Sequence, residues 1–371
     1  MRILFYYSSN KRTIPIDIPL RELQKRGHQI FLLTICEKGV LHTLFEEMGA
    51  EVYTHTISKT NPILWHYSHI RYLRRFCTEN KIDVVHSHLQ QANLIATLAA
   101  KMMRTKVVLF RHHGKFHHLV DEPALQPHRN EVIADRLINR LADTIVVPSE
   151  GVRQLMMQKE HVKASKLKRI PYIYDFDAMS QINQQSVKEI RAKHQARLLL
   201  IMVSRLTSYK RPMLVLPIVH QFIREGFDIK MMIMDDGPEW ESIRQYIQQH
   251  RLETHISLLG FHANVLEYIA AADVLVHPSL TEASNSAVKE AGLLQKAVIV
   301  CRGVGDFDDY IRNGENGYAI GPADFAAHLP HLLRNLYRHP ELIKQLGEAL
   351  QREVTQRFRI SNEIVDMYEH L

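Results

Sequence analysis

Residues 277–292 read HPSLTEASNSAVKEAG. The stretch leaves an apolar run, Asp273–His277, crosses a polar loop and enters a segment of helical spacing. Ser284, Asn285 and Ser286 are all N-cap types, so the helix starts among them, with Glu282 in the loop and Glu290 inside the helix. A second apolar run, Ala297–Cys301, follows. Continuous apolar strands on either side of a helix make a βαβ unit, part of a parallel sheet covered on both faces.

Working outward, the same alternation extends in both directions. Toward the C-terminal half the expected strands are Arg197–Ser204, Lys230–Asp235, His255–Leu259, Asp273–His277 and Ala297–Cys301. An earlier series comprises Arg2–Tyr6, Gln29–Thr34, Glu51–Thr54, Asp83–His86, Lys106–Phe110 and Thr144–Pro148. Two such series predict an α/β protein of two Rossmann-like domains. Periodicity fades near Tyr174–Lys193, and the last stretch, Ala323–Leu371, reads as helices alone. The domains are therefore set at 1–175 and 176–356, followed by a terminal helix at 357–371. Open parallel sheets bind ligands beyond the carboxyl ends of their strands, which confines the search for a site to those loops.

Composition narrows the classes. The chain has 371 residues, 46% hydrophobic and 23% charged, which suits a folded protein and excludes disordered and fibrous ones. Three cysteines, Cys36, Cys77 and Cys301, suit a reducing compartment. The opening MRILFYYSSNKR turns polar too soon for a signal-peptide core, and no apolar run reaches 18 residues, so a cytoplasmic protein is expected. Residues 1–175 carry 26 Lys+Arg against 16 Asp+Glu, a balance of +10; residues 176–371 carry 21 against 24, a balance of −3. The basic half suits an anionic membrane or an acidic substrate. Nucleic acid is not expected, because no zinc-finger spacing or aromatic RNA-binding motif accompanies the charge.

Three strand-end segments carry chemistry. In VSRLTSYKRP, 203–212, Arg205 follows a strand and Lys210 precedes a helix-starting Pro212; two cations there can neutralise a diphosphate. In MDDGPEW, 234–240, Gly237 permits a tight turn close to a ligand. In 277–292, the helix start at Ser284–Ser286 offers free N–H groups to phosphate or sugar oxygens, and Glu282 and Glu290 can accept from hydroxyls. Each also has a plainer reading: a charged surface turn for the cations, a loop charge for Glu282 and a solvated helix face for Glu290.

Taken in order, Arg205-x4-Lys210, DGPE, LLGF, ADVLVHPS, Glu282-x7-Glu290 and NGENGYAI resemble glycosyltransferase family 4. DVVHSHLQQANLIATLAA, VVLFRHHG and LADTIVVPSEGVRQLM continue the resemblance more loosely through the N-terminal half. The resemblance implies the GT-B fold, with two Rossmann-like domains facing across a cleft and a last helix crossing back to the N-terminal domain. It implies a retaining, nucleotide-sugar-dependent transferase acting on a glycan or lipid-linked acceptor in cell-surface polysaccharide or glycolipid biosynthesis. By position, Arg205 and Lys210 would grip the donor diphosphate and Glu290 the ribose. Glu282 would take the transferred sugar, with Gly237, Ser284, Asn285 and Ser286 completing the donor site. His113 matches a histidine that reaches the sugar, a part that the adjacent His112 can also fill. Ser8, Lys115 and Arg111 are the acceptor-side candidates. Arg205 and Lys210 would supply the positive charge that a metal would otherwise bring, so neither metal nor cofactor is expected.

The chain departs from the family pattern in four places. YYSSNKRTIP stands for a Gly-rich loop, Ala283-Ser284-Asn285 for a Gly after Glu282, Pro171–Asp175 for the usual interdomain turn, and Asp235 for a Gly. The side chains of Ser284 and Asn285 are then expected to reach the donor sugar. In HYSHIRYLRRF, 66–76, Arg71, Arg74 and Arg75 share a helix face beside Trp65, Tyr67, Tyr72 and Phe76, which predicts peripheral docking on the inner face of the cell membrane. A helix over 357–371 should bury Ile360, Ile364, Met367 and Tyr368. Two other readings stay open: a GT-B epimerase or phosphorylase, and an inactive sugar-binding relative.

Overall fold

The computed structural model describes residues 1–11, 16–58, 61–112 and 129–371. The chain divides into two compact units, Met1–Tyr174 with Ile360–Leu371, and Asp175–Arg359.

The first unit holds a seven-stranded parallel sheet: β1 (Arg2–Tyr7), β2 (Gln29–Thr34), β3 (Glu51–Thr54), β4 (Val84–His88), β5 (Lys106–Phe110), β6 (Thr144–Val147) and β7 (Leu167–Arg169). Their order is β3-β2-β1-β4-β5-β6-β7, so the winding reverses between β1 and β4. β1 is buried along almost its whole length, because helices cover both faces. Here β4 runs two residues past its expected end, which puts His88 opposite Tyr7 and Phe110.

The terminal segment belongs to this unit and is shorter than the sequence suggests. A long helix, Pro340–Phe358, ends in the second unit, and a separate helix, Asn362–Glu369, starts where Ser361 caps the Ile364 N–H. Val365, Tyr368 and Leu371 join the first unit's core, with Ile360 and Ile364 packed against it; Met367 is exposed instead of buried. The Tyr368 ring stacks on Phe110 at 6.0 Å. Arg26 pairs with Asp366 and Glu369, and His28 Nε2 lies 2.8 Å from Glu369.

The second unit holds a six-stranded parallel sheet: β8 (Leu198–Val203), β9 (Ile229–Met234), β10 (Ile256–Gly260), β11 (Val274–His277), β12 (Ala297–Cys301) and β13 (Tyr318–Ile320). Its order, β10-β9-β8-β11-β12-β13, reverses between β8 and β11. The polar stretch near the unit's start is also more regular than its composition suggests. Asn183 caps a helix over Gln184–Lys193, and Arg191 from that helix pairs with Asp273.

Candidate active site

The loops after β8 and β11 leave the second sheet at its point of reversal, where an open α/β sheet offers a crevice. Arg211 joins them. Held at φ +55° before Pro212, it donates from Nε to the Pro278 carbonyl at 2.7 Å, and its other nitrogens reach the Pro322 carbonyl and Cys301 Sγ. The backbone hydrogen bond Leu280 N–H to Tyr209 O, 2.8 Å, completes the join.

Lys210 and Glu282 meet across this join as an ion pair. His277, fully buried at the end of β11, places Nε2 2.6 Å from Glu282 Oε1, the same oxygen that Lys210 reaches. Burial alone would raise the Glu282 carboxyl; the Lys210 charge and the His277 hydrogen bond outweigh it and hold the group at about 2. Burial lowers His277, which is therefore neutral at pH 7. An ionised carboxylate only accepts, so the imidazole proton sits on Nε2, and His277 Nδ1 has no partner among the described residues.

The helix Ser286–Leu293 starts beside this pair, with Asn285 Oδ1 accepting from the Val288 N–H at 3.0 Å. The N–H groups at its head have no intrahelical acceptor, so that end attracts anions. Glu290, half-buried on the same helix, has no carboxylate partner among the described residues. Burial pushes it up to about 7, with Lys289 opposing. Arg205 is exposed just past β8, its guanidinium without a partner among the described residues.

Ser284 and Asn285, expected to present side chains to a sugar, make contacts within the protein. The Ser284 hydroxyl donates to Asp306 at 2.7 Å, and Asn285 is occupied as the helix cap. Lys289, wholly buried, reaches Asp306 at 2.6 Å, Ser284 Oγ at 2.9 Å and the Asn285 carbonyl at 3.1 Å. The loop before the helix is thereby tied to the loop after β12. Gly305 lets the second loop approach, since a Cβ there would stand 2.7 Å from Glu282 Cβ. Gly237 is fixed likewise: a Cβ would lie 2.3 Å from the Leu206 carbonyl oxygen, so the DGPE turn can lie against the Arg205–Leu206 backbone. Asp235, standing for a glycine, has φ +82°, the region glycine favours.

Lys289, Asp306, Arg211 and His277 were not picked out from sequence. The available signal was Lys289 on the packed side of a helix, four residues after the cap Asn285.

In the first unit, Ser8 is half-buried after β1. His112 is buried, with Nε2 2.7 Å from His88 Nδ1 and Nδ1 2.6 Å from the Tyr172 hydroxyl. Arg111 is buried against Glu160 and Asp135. His113 and Lys115 lie outside the described residues.

Residues 20–177 match the family model described as Glycosyltransferase Family 4, and residues 183–353 the model described as Glycosyl transferases group 1. The chain is a glycosyltransferase of the family 4 type. The transferase is 23% identical to N-acetyl-alpha-D-glucosaminyl L-malate synthase of Bacillus anthracis, over 94% of this chain and 90% of that one. It is 22% identical to alpha-monoglucosyldiacylglycerol synthase of Acholeplasma laidlawii, over 88% and 84%. Among solved structures, Anabaena Alr3699/HepE in complex with UDP superposes with a TM-score of 0.83, at 19% identity and full coverage of both chains. The glycosyltransferase therefore has the GT-B fold, its two parallel-sheet units being the two Rossmann-like domains.

Proposed function

We propose that the protein transfers a sugar from a nucleotide-sugar donor, with retention of configuration and without a metal ion or cofactor, to a glycan or lipid-linked acceptor in cell-surface polysaccharide or glycolipid biosynthesis. The observation carrying this reading is the convergence on one strand-end crevice of Lys210, Glu282 and a helix head, with Arg205 and Glu290, each without a side-chain partner among the described residues, on the same loops and helix. Arg205 and Lys210 stabilise charge on the departing diphosphate, Glu290 accepts from the ribose and Glu282 from the transferred sugar. The leaving phosphate oxygen takes the acceptor proton. Relatives named for N-acetylglucosamine and galactose transfer, and a neighbour bound to UDP-glucose, make UDP-sugars the donors to test first. Each is incubated with EDTA and a lipid-diphosphate or diacylglycerol acceptor, and the product anomer is read by NMR. An α-linked product from an α-linked UDP-sugar is expected; a β-linked product, or dependence on added magnesium, refutes the reading.

We further propose that the helix Pro62–Glu79 docks on an anionic membrane at the inner face of the cell membrane. Trp65 and Phe76 pack inward and Tyr72 stacks on His55, so those aromatics do not form the contact. Its exposed side instead carries Ile63, Leu64 and Tyr67, then Arg71, Arg74 and Arg75. Each arginine near an anionic leaflet adds roughly 1 kcal/mol. Among the described residues no helix is long and apolar enough to cross a membrane. Co-sedimentation with phosphatidylglycerol vesicles should fall with salt and on replacing the three arginines by glutamine; equal binding to neutral vesicles refutes docking by charge.

A further inference from the structure

Lys210 and Glu282 neutralise each other in this structure, yet the donor-site reading, on which this inference rests, requires both for the ligand. When a diphosphate takes Lys210, Glu282 loses its cation, and a nearly buried carboxylate left alone is costly. One donor stays. His277 Nε2 is 2.6 Å from Glu282 Oε1, and its ring is fixed at the end of β11, opposite Val300 and edge-on to Phe307 at 5.8 Å. Both Lys210 and His277 converge on Oε1, so Oε2 carries neither.

We propose that His277 is a positioning residue: it holds Glu282 by Oε1 while Lys210 exchanges the carboxylate for the donor diphosphate, and so keeps Oε2 directed at a hydroxyl of the transferred sugar. Asn285 Nδ2, 3.2 Å from His277 Nε2, limits the ring's movement. That approach is a contact and not a hydrogen bond, because Nδ2 can only donate and a protonated Nε2 has no lone pair to accept.

The full chain is made as His277→Met, which keeps bulk without a donor, and as His277→Gln, which returns an N–H near the Nε2 position. UDP affinity is measured by calorimetry, and turnover as UDP release from UDP-N-acetylglucosamine, UDP-glucose and UDP-galactose. His277→Met should lower kcat about tenfold or more with UDP affinity within about threefold of the parent, and His277→Gln should recover most of the loss. In a Glu282→Gln background, His277→Met should cost less than about twofold further, since the oxygen it serves is altered. Parent turnover in folded His277→Met, or an equal loss of UDP affinity and kcat, overturns the proposal. If His277→Met does not fold, nitrogen-15 NMR of the parent decides: the Nε2–H tautomer should persist at saturating UDP, and its loss overturns the proposal. Parent-like turnover in Glu282→Gln itself would instead overturn the reading of Glu282, and the inference with it.

Discussion

Glu290 is the residue whose chemistry is most exposed to test. Its carboxyl is raised to about 7 by burial, so the folded protein holds that proton more tightly than the unfolded chain. The associated stability is complete below the unfolded value, near 4.5, and is lost as pH rises through about 7. Ligand affinity should run the other way, because an ionised Glu290 accepts best from ribose hydroxyls. UDP-glucose, whose diphosphate does not titrate in this range, should bind more tightly at pH 8 than at pH 6, and Glu290→Gln should flatten the profile. Calorimetry at the two pH values checks this; a flat profile in the parent contradicts it. At this scale the placement of Arg205, Lys210 and Glu282 on loops after β8 and β11, and of Glu290 on the helix that follows, was legible from the apolar runs and the cap residues. The contact of Ser284 with Asp306 was not legible, because a hydrogen-bond partner 22 residues away leaves no local signal.

The helix Ser286–Leu293 is the element on which the site depends. Its head is held by the Asn285 cap and by Lys289, whose ammonium also lies 4.6 Å from the Phe358 ring centroid. Breaking a buried ion pair by removing one partner costs roughly 3–5 kcal/mol, so Asp306→Ala should destabilise the second unit by about that much. Chemical denaturation checks the figure; a loss under about 1 kcal/mol would mean that the pair does not hold the loop. Elements were legible where the apolar runs are long. β7 and β13, three residues each, escaped because a three-residue strand carries no measurable period, and their place is fixed by pairing with β6 and β12. The split between Phe358 and Asn362 escaped as well, since Ser361 reads as an ordinary helix residue until its capping bond is seen.

The whole molecule is two α/β units with the chain's end returned to the first. Deleting Ser361–Leu371 removes three core side chains, Val365, Tyr368 and Leu371, at about 1.5–3 kcal/mol each. Against a total of roughly 5–15 kcal/mol, the first unit should melt well below its present temperature while UDP binding by the second is kept. Calorimetric scanning shows which; an unchanged melting profile contradicts the assignment. The two-domain plan was legible because alternating strands and helices repeat on either side of a polar gap, whereas the exact return at Ile360 depends on packing. The central claim is that the second unit grips a nucleoside diphosphate with its own cations. The direct measurement is calorimetric titration of UDP, in EDTA, into the intact protein and into Arg205→Ala and Lys210→Ala. The account predicts binding in the parent and a loss of about tenfold or more in each variant, the worth of a charge-assisted hydrogen bond. Equal affinity in all three proteins, or binding that appears only with a divalent ion, would contradict it.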